Sequence, residues 1–190
     1  MSSASLVEAV RAHLARVFPE RAQETLAWTA GGIVVNLPEL AIVRLAPAVA
    51  GGVWLHVSAG ASEPPLEDGY GIELLLLAPE PEPHAIKLVA MAANLHADPR
   101  YPLSLGQVLE IGQPWLPGAS ADHLLVTLPT IFDPELEWLS DRERNVRFVW
   151  LVPITRSEAD FARKRGYLAL QEKLGAAQLD VTARVRDSAA

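Results

Sequence analysis

The chain has 190 residues, of which 50% are hydrophobic and 21% charged, with a net charge of −7 and no cysteine. That composition fits one folded domain with a real core; it excludes a disordered chain, disulfides, thiol catalysis and cysteine-ligated metals. Residues 22–141 hold 15 acidic against 3 basic residues and residues 142–190 hold 6 against 10, so the basic footprint of a nucleic-acid binder is missing.

Ser5 with Glu8 three positions on forms a capping box, and Leu6, Val10, Leu14 and Val17 recur at helical spacing. They predict an amphipathic helix closed by Phe18-Pro19. Residues 24–29 and 33–37 flank Ala30-Gly31-Gly32, and residues 40–45 follow Pro38, which predicts a hairpin and a further antiparallel neighbour. Residues 53–57 and 72–78 read as a fourth and fifth strand, separated by a loop over 60–70 rich in Gly, Pro, Ser and acids. Pro79, Pro81 and Pro83 set an extended connector. Ile86, Val89, Ala90 and Ala93 then place a helix from His84 to about His96, stopped at Asp98-Pro99.

Residues 107–111 and 124–128 read as short strands around a loop containing Pro114, Trp115, Pro117 and Gly118. Residues 132–144 form a charged connection with a helical turn near residues 135–139. The run Phe148 to Val152 is continuously apolar, with aromatic and β-branched residues, and predicts a strand near the sheet's centre, buried on both faces. Pro153 is expected to end that strand, and Thr155 with Glu158 caps the helix that follows, broken in two at Gly166. After Val185 the apolar pattern fades and the last residues are expected to fray. The order describes a single α+β domain with a central mixed, mainly antiparallel sheet flanked by an N-terminal helix, a middle helix and C-terminal helices. Its parts are the first helix over residues 1–22, the body over 23–178 and a tail over 179–190.

No apolar stretch approaches the roughly 20 residues of a membrane helix, and no uninterrupted apolar leader precedes Glu8 and Arg11; a cytoplasmic protein is expected. The five histidines, at 13, 56, 84, 96 and 123, include no pair at the i, i+4 spacing of a helical zinc site, so no metal is expected. Ser58-Ala59-Gly60 lacks the first glycine of a nucleophile elbow, and Gly69-Tyr70-Gly71 lacks the third glycine and the helix of a dinucleotide site. Neither a catalytic residue nor a cofactor is assigned. Glu73 and Glu110 read as charges on the solvent face of antiparallel strands. Convergence of His56, Glu73 and His123 would instead make a small-molecule site or a hydrolase centre. Of the tryptophans, Trp54 and Trp150 are expected to be buried in strands, and Trp115 to be partly exposed in its loop.

His56-Val57-Ser58-Ala59-Gly60, Tyr70-Gly71-Ile72-Glu73-Leu74, Leu105-Gly106-Gln107-Val108 and Trp150-Leu151-Val152-Pro153-Ile154-Thr155, with Glu158 and Gly166 after it, occur in that order. Together they resemble the suppressor of fused-like domain over about residues 53–174. The resemblance implies an α+β fold with a central sheet and a binding protein rather than an enzyme. Animal members of that family restrain a transcription factor by gripping an extended peptide between two domains, and this chain is short for a second domain. Bacterial single-domain members serve largely as immunity proteins that neutralise toxins, which implies a protein partner, here a basic toxin or regulator; the charge and the short apolar runs argue against nucleic acid and membrane as partners. The contact surface is expected in the loops over residues 63–70 and 113–122, on Glu63, Glu67, Asp68, Tyr70, Trp115 and Asp122. Self-association through exposed sheet edges is a further possibility.

Overall fold

The computed structural model describes residues 5–29, 31–62, 69–140 and 144–190. Helix α1 (Leu6–Val17) opens on its capping box: the Ser5 hydroxyl accepts from the Glu8 amide at 3.2 Å and the Glu8 carboxylate from the Ser5 amide at 3.0 Å. Strand β1 (Gln23–Ala27) pairs directly with β2 (Ala41–Leu45), antiparallel, as Gln23↔Leu45 to Ala27↔Ala41. Between them, residues 33–37 do not form the expected strand. They make a single helical turn, α2 (Ile33–Asn36), closed by the Leu37 amide on the Ile33 carbonyl. A run of four or five apolar residues has no period that separates strand from helix, and Gly31 and Gly32 free the chain to turn.

β3 (Trp54–Ala59) and β4 (Gly71–Ala78) extend the meander, and α3 (Pro83–His96) follows the proline connector. Then come β5 (Val108–Glu110), β6 (His123–Thr127), a 3-10 turn (Pro134–Leu136), β7 (Trp138–Ser140) and β8 (Asn145–Ile154), ending in α4 (Arg156–Arg165) and α5 (Tyr167–Ala176). Among the described residues the sheet has eight strands in the order β1-β2-β3-β4-β8-β6-β5, with β7 also paired to β8. Among the described strand pairs the central one, β4 with β8, is the parallel one, from Gly71↔Val146 to Leu75↔Trp150.

That central position is why β8 reads as an unbroken apolar run. Val149 and Leu151 belong to the core under α3, while Phe148, Trp150 and Val152 belong to the core under α1, α4 and α5. Alternation therefore hides in plain sight, since both faces are covered. Contrary to expectation, the strand continues through Pro153, which stands opposite Leu124. Ile154 turns its carbonyl to the β6 side, where the Asp122 amide meets it, so the Pro153 backbone faces the other way, where β4 pairing has already ended. No ladder amide is needed there, and the Pro153 carbonyl accepts from Arg186 at 3.0 Å instead. Gly166, at φ +91°, separates α4 from α5 as its position predicts.

The expectation of a frayed tail fails. Arg186 forms a fork on Glu158 at 2.6 and 2.7 Å, the Ala189 amide reaches the same carboxylate at 2.9 Å, and Arg184 reaches Glu80, Glu82 and the Pro117 carbonyl. The polar spacing of these residues looked patternless because their partners lie across the fold.

Candidate interaction surface

Because β4 and β8 run in parallel, the residues that open them share one end of the sheet. Tyr70, just ahead of β4, meets the Trp138 ring of β7 edge to face at 5.4 Å. Trp138 stands opposite Arg147 in the β7–β8 ladder, and the guanidinium lies 5.1 Å from its ring centre. Glu137 fixes that guanidinium by accepting from Nε and Nη2 at 3.0 and 2.7 Å. Trp138 keeps 37% of its surface exposed. A half-exposed tryptophan, steadied by an arginine on its face and a tyrosine at its edge, has the composition of a contact hot spot.

The sequence pointed to Tyr70 but not to Trp138, Arg147 or Glu137. The alternation Glu137-Trp138-Leu139-Ser140, with Leu139 buried between two exposed neighbours, was the available signal for a short edge strand presenting the ring. Glu63, Glu67 and Asp68 lie outside the described residues. The second expected loop is at the other end of the sheet: Asp122 sits beside Ile154, where β8 ends. A strand of that length separates Tyr70 from Asp122 by on the order of 30 Å, so these two do not share one surface.

Trp115 is fully buried in the core under α3, contrary to its expected exposure. The loop turns back on itself there, with the Trp115 amide donating to the Ala121 carbonyl at 2.9 Å. Asp122 accepts from the His123 ring at 2.7 Å and faces Arg156 at 3.6 Å. Trp150 is buried as expected, whereas Trp54 is only partly so, beneath the Arg44 guanidinium at 5.4 Å.

His56, Glu73 and His123 do not converge. His56 pairs with Leu76 in β4, Glu73 stands opposite Phe148 near the start of β8, and His123 opposite Ile154 at its end. Six residues of strand separate the last two, roughly 20 Å. Glu73 is not on a solvent face but wholly buried, while Glu110 is exposed as expected. The Glu73 carboxylate accepts from the amides of Gly60, Ala61 and Ser62 at 2.9, 3.3 and 3.1 Å and from the hydroxyls of Ser58 and Ser62. Burial pushes this carboxyl up, against the pull of those donors. Those five bonds tie the carboxylate to the turn after β3. His56 is buried with neither ring nitrogen hydrogen-bonded, and desolvation, helped by Arg44, lowers it to about 4. Among the described residues no group of three or more His, Asp or Glu is placed to hold a metal ion, and no helix is long and apolar enough to cross a membrane.

Comparison with solved structures gives a suppressor of fused homolog from Neisseria gonorrhoeae at 29% identity, with 97% of each chain covered and a TM-score of 0.86. The same fold occurs in the Sufu-Fu complex, at 14% identity over 97% of this chain and 92% of that one, TM-score 0.73. It occurs again in Drosophila Suppressor of Fused, at 16% identity and TM-score 0.70, where this chain spans 51% of the other. A search of curated proteins finds no match. The family model for Suppressor of fused protein (SUFU) matches residues 36–187, which include the buried Glu73 turn, the central β4–β8 pair and the Arg186 clasp, and the chain belongs to that family.

Proposed function

We propose that this chain is a non-catalytic protein-binding module that acts in the cytoplasm as an immunity protein, neutralising a basic toxin by direct contact. The observation that carries the reading is the half-exposed Tyr70–Trp138–Arg147 cluster. In that cluster Trp138 keeps 37% of its surface exposed between the Tyr70 ring and the Arg147 guanidinium; Glu63, Glu67 and Asp68 are proposed as further partner contacts on the sequence alone. A relative of the same fold is held in a complex with Fu, which supports a binding role for the fold. The net charge of −7 would steer a basic partner toward encounter, and the aromatic anchors would hold it.

The test is capture from the native cell with the tagged chain, at ordinary and raised salt, followed by co-expression with the captured protein. One dominant basic partner that leaves at high salt, is toxic alone and is silenced by the wild-type chain is the expected result. Trp138→Ala is expected to weaken that complex by roughly thirtyfold or more, the loss typical of an anchor residue, and to abolish protection. A captured partner that is harmless alone, or one bound equally well by Trp138→Ala, would overturn the toxin reading or the surface respectively.

A further inference from the structure

The sheet ends on one side at β1, and the backbone there sets what can continue it. The Ala46 amide donates to the Ala22 carbonyl at one end of the β1–β2 ladder and the Trp28 amide to the Leu40 carbonyl at the other, both at 2.9 Å. In the register Gln23↔Leu45 to Ala27↔Ala41, the even-numbered residues therefore bond to β2, while Gln23, Thr25 and Ala27 turn their N–H and C=O outward. Among the described residues no strand takes up those groups. Thr25 and Ala27 are exposed, and α1 packs over β3 and the 3-10 turn rather than along this edge. The strand, Gln-Glu-Thr-Leu-Ala, has no proline or lysine to guard it, and its one charge, Glu24, is paired with Arg44 of β2. The far edge is guarded by its shortness: β5 has three residues between Gly106 and Gly112, both at positive φ.

We propose that β1 pairs antiparallel with β1 of a second copy, about a twofold axis at Thr25, so that the sheet runs on through a homodimer. An axis at Thr25 sets Thr25 opposite itself and Gln23 opposite Ala27, and every outward N–H and C=O of the strand finds a partner. It also sets Glu24 opposite Leu26 of the second copy. An axis at Glu24 would bring two carboxylates face to face, which is destabilising, and an axis at Leu26 would push Gln23 past the strand's end. An axis between two residues would set outward groups against groups already bonded to β2. Five residues from each copy make a small interface, so the dimer is a weak one in the micromolar range. The Tyr70–Trp138 cluster lies across β2, β3 and β4 from this edge, so each copy keeps it open, and the dimer does not depend on what that cluster binds.

Sedimentation velocity of the full chain across the micromolar range and above should show a monomer–dimer equilibrium with no larger species. Thr25→Pro removes an N–H that β2 does not use, at a position where an edge strand accepts proline, and should leave a folded monomer. Two substitutions at one site isolate the register. Leu26→Glu sets a carboxylate opposite Glu24 of the second copy and Leu26→Lys sets an ammonium there, twice per dimer. The first should therefore dimerise roughly tenfold more weakly than the second, with the gap closing in high salt. A chain that stays monomeric throughout, an assembly larger than a dimer, a dimer untouched by Thr25→Pro, or equal dimerisation of the two Leu26 variants overturns the proposal.

Discussion

His56 shows how a single side chain sets a pH dependence that its chemistry alone would not suggest. It lies fully buried on β3 beside Arg44, with both ring nitrogens unpartnered, and burial first and Arg44 second lower it from 6.5 to about 4, against the opposing pull of the Leu76 carbonyl and Glu82. The unfolded chain takes up a proton near 6.5 while the folded chain stays neutral until about 4. Between those values the unfolded state binds more protons, so stability falls as the pH falls, by up to roughly 3 kcal/mol across the window. Buried His13 and His96 are lowered too and add slopes of the same sign. Neither ring nitrogen has a hydrogen bond of good geometry and the Leu76 carbonyl pulls only weakly, so an apolar side chain of similar size removes more desolvation cost than interaction. His56→Leu is therefore expected to be neutral or stabilising at pH 7 and to flatten urea-unfolding free energies between pH 6.5 and 4. An acid slope equal to that of the wild type would show that His56 does not titrate as its burial dictates.

At the scale of elements, the turn that leaves β3 is held by β4 from two sides. Glu73 gathers the amides of residues 60–62, and Gly71 lets the same turn lie against the strand start, where any Cβ would collide with the Ser62 backbone carbonyl and its Cβ. Ser62 is backbone-bound to Glu73 and cannot yield without breaking those bonds. Gly71→Ala is expected to cost at least 1–3 kcal/mol, as overpacking does, whereas Gly69→Ala, with open space around its Cβ, pays mainly for its φ of +80°. Equal unfolding midpoints for Gly71→Ala and wild type in a denaturant titration would refute the collision. The glycine pair was legible in the sequence as a turn, yet the need for Gly71 is a contact with a residue nine positions earlier. The same division runs through the fold. The β8–α4 unit could be read because a two-face apolar run and the Thr155–Glu158 box are local signals. The Ile33 turn, the inward Trp115 loop and the Trp138 ring on Tyr70 could not, since short runs are ambiguous and ring contacts join distant residues.

Over the whole molecule, the tail is the piece that ties the sheet's far end together. Arg186 and Glu158 are almost completely buried as a pair, at 4% and 0% side-chain exposure, and Arg184 reaches Glu80 and Glu82 more than a hundred residues back while its carbonyl accepts from Ser120 at 2.7 Å. Burial opposes ionisation of Glu158, but Arg186 with the Ala189 and Thr155 amides outweighs it and holds the carboxyl below its ordinary value. A depressed carboxyl stabilises the fold above the unfolded value and loses that contribution as the pH drops through the folded one. Arg186→Ala leaves a buried carboxylate without its counter-charge, a defect that costs roughly 3–5 kcal/mol, or on the order of 10 °C in melting temperature for a chain of this size. The deficit should shrink on acidification, because a protonated Glu158 no longer needs the arginine. Thermal unfolding of wild type and Arg186→Ala followed by circular dichroism from pH 8 to pH 4 checks both statements. A deficit that stays constant with pH would assign the loss to tail packing rather than to the ion pair, and no deficit at neutral pH would mean that the clasp does not hold the tail.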